Sequence, residues 1–350
     1  MIATFTVGLI GYRSTSARLV DEVDRSITQA TGQMIGRAVD GRITMPTRCL
    51  LEVYAVRVLD ADELGVYALF FTAYILANLI PQFLVLYPVE IDSVRLARPE
   101  RLRLLPASLR LMKLAPAAAI PVSLIAFMLA EATSPDLRVG LVVTTAAAAL
   151  TAPLYEHSKR ILHLSDKSWH AARMAGIQLA TVVAGVGVAL VLDVPHHWVP
   201  LGALAISQLT AFIIGYSRVD TGEPAALPRI PALIRSGRWL LISGVAPAAA
   251  SFAAAVIITA LSSADDLGFA QAAHVVGRPV LILATGLSTV IGFRLMEAGL
   301  ERSHASGSRY TSVFRVAVVV AAVAYAALVG IDWFGNPLAA LLPRAYEVVG

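Results

Sequence analysis

Charged side chains are scarce in this chain. Asp, Glu, Lys and Arg make up 15% of its 350 residues, against about 25% in an average soluble domain. Cysteine is nearly absent: Cys49 stands alone, which excludes an internal disulfide and leaves redox compartment unread. The short motifs of several enzyme classes are missing too. There is no GxxxxGK(S/T) to cradle nucleotide phosphates, no HExxH to hold zinc and no nucleophile elbow. GVGVA at 185–189 is too short for a dinucleotide fingerprint; its glycines suit close helix packing. These absences argue against ATP hydrolysis and against an enzyme. No metal, organic cofactor or nucleic-acid partner is expected.

What the chain has instead is apolar length. Hydrophobic residues make up 57% of it and the mean hydropathy is +0.71. Several apolar runs reach the roughly 18–20 residues that cross a bilayer. Length and punctuation by Pro, Gly and charge mark eight spans: Leu64–Val89, Leu111–Glu131, Arg138–Tyr155, Ala172–Leu192, Pro200–Tyr216, Trp239–Leu261, Leu267–Phe293 and Phe314–Asp332. A ninth, Ile35–Leu59, is weaker, because it carries Asp40, Arg42, Arg48, Glu52 and Arg57. Each central charge costs about 2.5–3.5 kcal/mol on an insertion scale. Such a helix crosses only within a bundle, its charges facing a wet cavity.

The loops agree with nine spans. Alternate loops are rich in Lys and Arg: Arg95 to Lys113, Lys159 to Arg173, Arg218 to Arg238, and Arg294 to Arg315. The loops between them read ADAD, EATSPD, LDVPHHW, SSADD and IDWFGNP. By the positive-inside rule the basic loops are cytoplasmic. The alternation requires Ile35–Leu59 to cross and the N-terminus to lie inside. The expected location is a bacterial-type cytoplasmic membrane, multi-pass, with residues 1–34 as a cytoplasmic lead.

One short phrase occurs twice. ADELG at Ala61–Gly65 returns as ADDLG at Ala264–Gly268, 203 residues on, each time between two spans. Six spans separate the copies, so both units point the same way, as in parallel internal repeats of transporters. The reading is an all-α polytopic membrane protein of two parallel-repeat bundles around a central cavity. The first six-helix bundle covers 35–216, a cytoplasmic linker 217–238, and an incomplete second bundle of three helices and a stub 239–350.

AVRVLDADELGVYAL (Ala55–Leu69) resembles the polysaccharide flippases of the multidrug/oligosaccharidyl-lipid/polysaccharide exporter superfamily. Arg57, Asp62, Glu63, Gly65 and Tyr67 fit the family's Arg, acidic turn and Gly-x-Tyr opening of the second helix. The stretches GRWLLISGVAPAAASFAAAVIITALSSADDLGFAQAA and PLAALLPRAYEVVG also look like the family. The resemblance covers residues 35–350 and departs in lacking the last three or more helices. It implies alternating access and a polyprenyl-diphosphate-linked oligosaccharide as cargo, moved to the outer leaflet for cell-surface polysaccharide. Polysaccharide polymerases and export proteins are the implied partners beside membrane lipids.

Intramembrane charges are the candidates for cargo contact, because lipid makes them costly. Arg48 and Glu52 sit i,i+4 on one helix face, either as a structural pair or as a diphosphate contact with Glu52 orienting the guanidinium. Arg278 lies deep in the eighth span beside Pro279, with His274 four residues before it. Arg57 reads as an interface anchor or a further contact. Asn78 and Gln82 can hydrogen-bond sugar hydroxyls or tie helices together. His157, His163, Asp166 and His170 follow no metal-ligand spacing, so EHSKRILHLSDKSWH reads as a basic segment on the lipid surface. RLARPERLRLLPASLR reads the same way.

Two alternatives remain at this level. An ion-coupled exporter of small drug-like molecules is one, against which a cationic cavity would argue. A membrane-embedded polysaccharide enzyme or a non-transporting scaffold subunit is the other.

Overall fold

A computed structural model describes residues 40, 47, 50–130, 134–224, 226–227, 229–275, 284, 287, 291 and 304–330. Among them there is no strand. The helices are α1 (50–58), α2 (Ala61–Pro81), α3 (Tyr87–Ser93), α4 (Arg98–Leu109), α5 (Ala115–Leu129), α6 (Pro135–Leu164), α7 (Ser168–Val191), α8 (Val199–Tyr216), α9 (Ile230–Leu261), α10 (264–275) and α11 (His304–Gly330). A π-turn over Gln82–Leu86 joins α2 to α3, and a 3₁₀ turn over Arg110–Leu114 joins α4 to α5.

Among the described residues seven stretches are long and apolar enough to cross a membrane: Ala61–Ser93, Glu100–Leu129, Pro135–Leu164, Ser168–Val191, His196–Tyr216, Ile230–Leu261 and Gly307–Ala327. The chain is a polytopic helical membrane protein. Each stretch coincides with an expected span; the other two, Ile35–Leu59 and Leu267–Phe293, lie only partly within the described residues.

The helices outrun the apolar runs at one end. Thirty residues of α6 rise about 45 Å, against a hydrocarbon core of about 30 Å. Its polar last turns stay helical because packing rather than lipid supports them. Likewise α9 begins at Ile230, nine residues before the apolar run at Trp239.

The core sits in the first half of the chain. In the best apolar window of α2, 61% of residues are buried; in α9 the share is 6% and in α11 it is zero. Leu64, Tyr67, Leu69 and Phe70 of α2 pack with Leu137, Leu141, Ala148, Ala149 and Ala152 of α6, with Ala119 and Ala126 of α5, and with Leu201 and Leu204 of α8. Small side chains bring backbones close where no hydrophobic force from water assembles helices. Gly140 shows the need: a Cβ there would come within 2.7 Å of the His197 ring and 2.8 Å of Trp198.

Charge distinguishes the two ends of this bundle. Arg101, Arg103, Lys167 and Arg218 gather at one end, where the Arg101 guanidinium reaches the Leu164 carbonyl at 2.7 Å. Asp62, Glu63, Asp136 and Asp265 gather at the other, where Asp136 lies 3.1 Å from His197. They are the basic end and the acidic end below. Trp169 and Trp239 are exposed near the basic ends of α7 and α9, where amphipathic rings suit a membrane–water boundary.

Candidate functional site

At the acidic end the two copies of the repeated phrase meet. Each copy opens a helix, and each places two carboxylates in the first turn, where the unpaired N–H groups favour negative charge: Asp62 and Glu63 in α2, Asp265 and Asp266 in α10. The α10 start is capped by side chains. Asp266 N–H donates to Ser263 Oγ at 3.1 Å, Ser263 Oγ donates to Asp266 Oδ2 at 3.0 Å, and Ser262 Oγ donates to the same oxygen. These hydroxyls hold the Asp266 carboxyl below the usual carboxylate range, Ser262 most strongly.

Behind the two helix starts the backbones touch. A Cβ at Gly65 would land on the carbonyl oxygen of Ala264 and lie 3.1 Å from the Gly268 nitrogen. A Cβ at Gly268 would land on the carbonyl oxygen of Ala61 and lie 3.2 Å from the Gly65 nitrogen. The contact is reciprocal: each residue touches the counterpart of the residue that touches it, as at an isologous interface. Leu64 and Leu267, beside the two glycines, are buried.

The interior of the α1–α8 bundle carries a polar thread. Tyr67, Phe71 and Tyr74 follow one another along α2 with ring centroids 5.8 and 5.9 Å apart. The Gln208 side-chain amide donates to Tyr74 Oη at 3.4 Å, and Thr151 Oγ1 donates to Gln208 Oε1 at 3.0 Å. One turn further on, Gln82 Nε2 donates to Asn78 Oδ1 at 2.8 Å, both side chains buried. So Asn78 and Gln82 are brought together and spend one polar atom each on the other.

The other expected site residues are placed separately. Glu52 is buried in α1. Arg57 is exposed at the acidic end, beside the turn into α2, and His274 is exposed on α10. Arg48 and Arg278 lie outside the described residues, as do residues 1–34. α1 has a second tie at the acidic end, where Tyr54 Oη lies 3.0 Å from His196 Nδ1.

The basic end departs from the lipid-surface reading of residues 156–170. His157 and Ser108 are fully buried and Lys159 nearly so. His157 Nδ1 lies 2.8 Å from Glu90 Oε1, and its Nε2 lies 2.7 Å from Ser108 Oγ. Arg160 stacks over the Tyr87 ring at 4.3 Å and stands 3.8 Å from Glu90 Oε2. On the next face of α6, His163 Nε2 lies 3.0 Å from Asp40 Oδ2 and its Nδ1 3.0 Å from Ser168 Oγ. Lys159 Nζ meets the other Asp40 oxygen at 2.9 Å. Buried charges persist when paired and hydrogen-bonded, and this cluster is built that way. Two Ser–His–carboxylate relays result, but their serines are sealed among helices, so they fasten Asp40, α3, α4 and α7 to α6.

In the second basic segment Arg95, Arg103 and Arg110 are exposed, while Arg101 turns inward. Its guanidinium donates to three carbonyls: Leu96 at 3.0 Å, Leu164 at 2.7 Å and Val94 at 3.0 Å. It caps the end of α6 and the strand-free connection after α3 together. The sequence did hold a sign of the relays. Tyr155, Lys159 and His163 recur every four residues, which is one helix face. Among the described residues no three His, Cys, Asp or Glu side chains converge on a metal site.

No protein-family model, no curated protein and no solved structure matches this chain.

Proposed function

We propose that this protein is a membrane transporter that moves a polyprenyl-diphosphate-linked oligosaccharide across a bacterial-type cytoplasmic membrane by alternating access. The observation that carries the reading is the reciprocal contact of Gly65 with Ala264 and of Gly268 with Ala61. Two halves that are parallel copies, related by an axis along the membrane normal, would bring equivalent turns together in this way, and paired parallel halves are a transporter architecture. The resemblance of Ala55–Leu69 to polysaccharide flippases supplies the cargo class. In this reading the basic end is cytoplasmic and the acidic end is outside. Arg48 and Arg278 are the cations that meet the diphosphate, since a guanidinium offers a fixed fork of donors and a permanent charge.

The test is reconstitution of the full chain into vesicles carrying a fluorescent polyprenyl-diphosphate oligosaccharide in both leaflets. A membrane-impermeant reductant bleaches the outer leaflet, and continued bleaching reports arrival from the inner one. The expected result is bleaching that runs to completion. Arrest at the protein-free level overturns the reading.

A further inference from the structure

The connection between α2 and α3 breaks the regular winding of a membrane-spanning stretch. Pro81 closes α2 and Pro88 is the second residue of α3. Proline has no N–H, so neither the Ala77 nor the Leu84 carbonyl receives the donor that stands four residues on in an α-helix. Between the two prolines Gln82–Leu86 winds as a π-turn, closed by Tyr87 N–H on the Gln82 carbonyl. Such single turns are rare and concentrate at functional places. Two missing backbone bonds and one wide turn make a joint that bends at little cost.

Its neighbours hold the joint sideways and leave it free to bend. Gly237 of α9 lies where a Cβ would sit on the Leu84 carbonyl oxygen, and Gly244 lies where a Cβ would enter the Phe83 ring. Side chains at these two places would fill the room the wide turn occupies. Val85, Leu86 and Val89 pack with Leu104, Leu111 and Leu233, and the Gln82–Asn78 bond bridges the joint on the bundle side.

The far end of the same helix carries the contact at Gly65. α2 has 21 residues, a lever of about 31 Å at 1.5 Å per residue. Gly65 stands sixteen residues before Pro81, about 24 Å along that lever, so a bend of about 10° at the joint moves it by about 4 Å, more than a backbone contact tolerates. We propose that residues 81–88 are a hinge, borne by Gly237 and Gly244 of α9, whose bending lifts Gly65 off Gly268. Its use in opening the acidic end rests on the transport reading; the motion itself is read without cargo.

The experiment places nitroxide labels at Asp62→Cys and Asp265→Cys in a Cys49→Ser chain reconstituted in vesicles, and reads their distance by pulsed electron resonance. Two populations are expected, the longer displaced by about 5 Å, as the lever predicts. Pro81→Ala with Pro88→Ala restores both donors, and only the short distance should remain. A single distance without the proline changes, or two distances with them, overturns the hinge. If the double variant does not fold, Gly237→Ala reads the same joint, because its methyl group meets the Leu84 carbonyl; an unchanged ratio of populations overturns the proposal. Two distances without lipid flipping remove the transport reading and keep the hinge. Flipping with one distance does the reverse.

Discussion

Lys159 and Asp40 meet at 2.9 Å with both side chains almost wholly covered. The pair closes a distance of more than a hundred residues and ties Asp40 to α6. Lys159→Met leaves a buried carboxylate short of its partner, for which the cost is about 3–5 kcal/mol. Asp40→Asn in the same chain removes the stranded charge and restores most of the loss. The melting temperature in detergent of the two single variants and the double variant checks this as a cycle; additive losses would show that the pair is not coupled.

Gly65 and Gly268 should respond alike. Replacing either with Val forces its Cβ against a backbone carbonyl, and overpacking of this kind costs about 1–3 kcal/mol. Since each glycine meets the other's counterpart alanine, the two single variants should lose stability by similar amounts. The double variant should lose less than their sum, because one separation of the backbones accommodates both side chains. Thermal unfolding of the three variants reads this directly. A large loss at one glycine and none at the other would break the reciprocity.

Arg101 donates to three carbonyls, those of Val94, Leu96 and Leu164. Arg101→Gln should destabilise the basic end by on the order of 2 kcal/mol, the scale of hydrogen bonds from a charged group. Arg101→Lys should rescue little, because an ammonium is a compact point charge without the planar fork. Hydrogen exchange over residues 160–168 is the local readout, and it should accelerate in both variants.

The spans and the repeated turn were legible because they depend on composition along the chain: apolar length, and a five-residue phrase recurring at a fixed offset. The basic end was not. Lys159, Arg160 and His157 look like surface when read alone, since such residues are rarely buried without a partner. Their partners, Asp40 and Glu90, come from segments about 120 and 70 residues away in sequence, and nothing local announces them. The π-turn was hidden for a different reason. One extra residue per turn leaves an apolar run looking apolar, and only Pro81 and Pro88 mark the spot. Of the expected cargo residues, Asn78 of α2 and Gln82 of the π-turn are hydrogen-bonded neighbours, whereas Arg48 and Arg278 lie beyond the described residues.

If Arg48 and Arg278 bind the diphosphate of a lipid-linked cargo, neutralising either should slow flipping roughly tenfold, the effect of losing about 1.4 kcal/mol. Arg48→Lys and Arg278→Lys should keep the charge but lose the paired donors, and fall between. The same variants should leave an uncharged polyprenol analogue unaffected. Equal losses with both lipids would mean that these arginines support the fold and not the cargo.

The cap of α10 should be acid-sensitive, with a definite sign. Ser262 and Ser263 lower the Asp266 carboxyl relative to its unfolded value. A lowered carboxyl contributes stability above the unfolded pKa and loses it as pH falls through the folded one. The cap is therefore intact at neutral pH and releases below about pH 4, the ordinary carboxylate range. Ser262→Ala with Ser263→Ala removes the hydroxyls that hold the charge, so release should begin at higher pH. Hydrogen exchange of the amides at 264–268, corrected for the intrinsic pH dependence, follows this from pH 6 down through and below the ordinary carboxylate range. The serine variant should open first. Release at the same pH in both chains would mean that the serines do not hold the Asp266 charge.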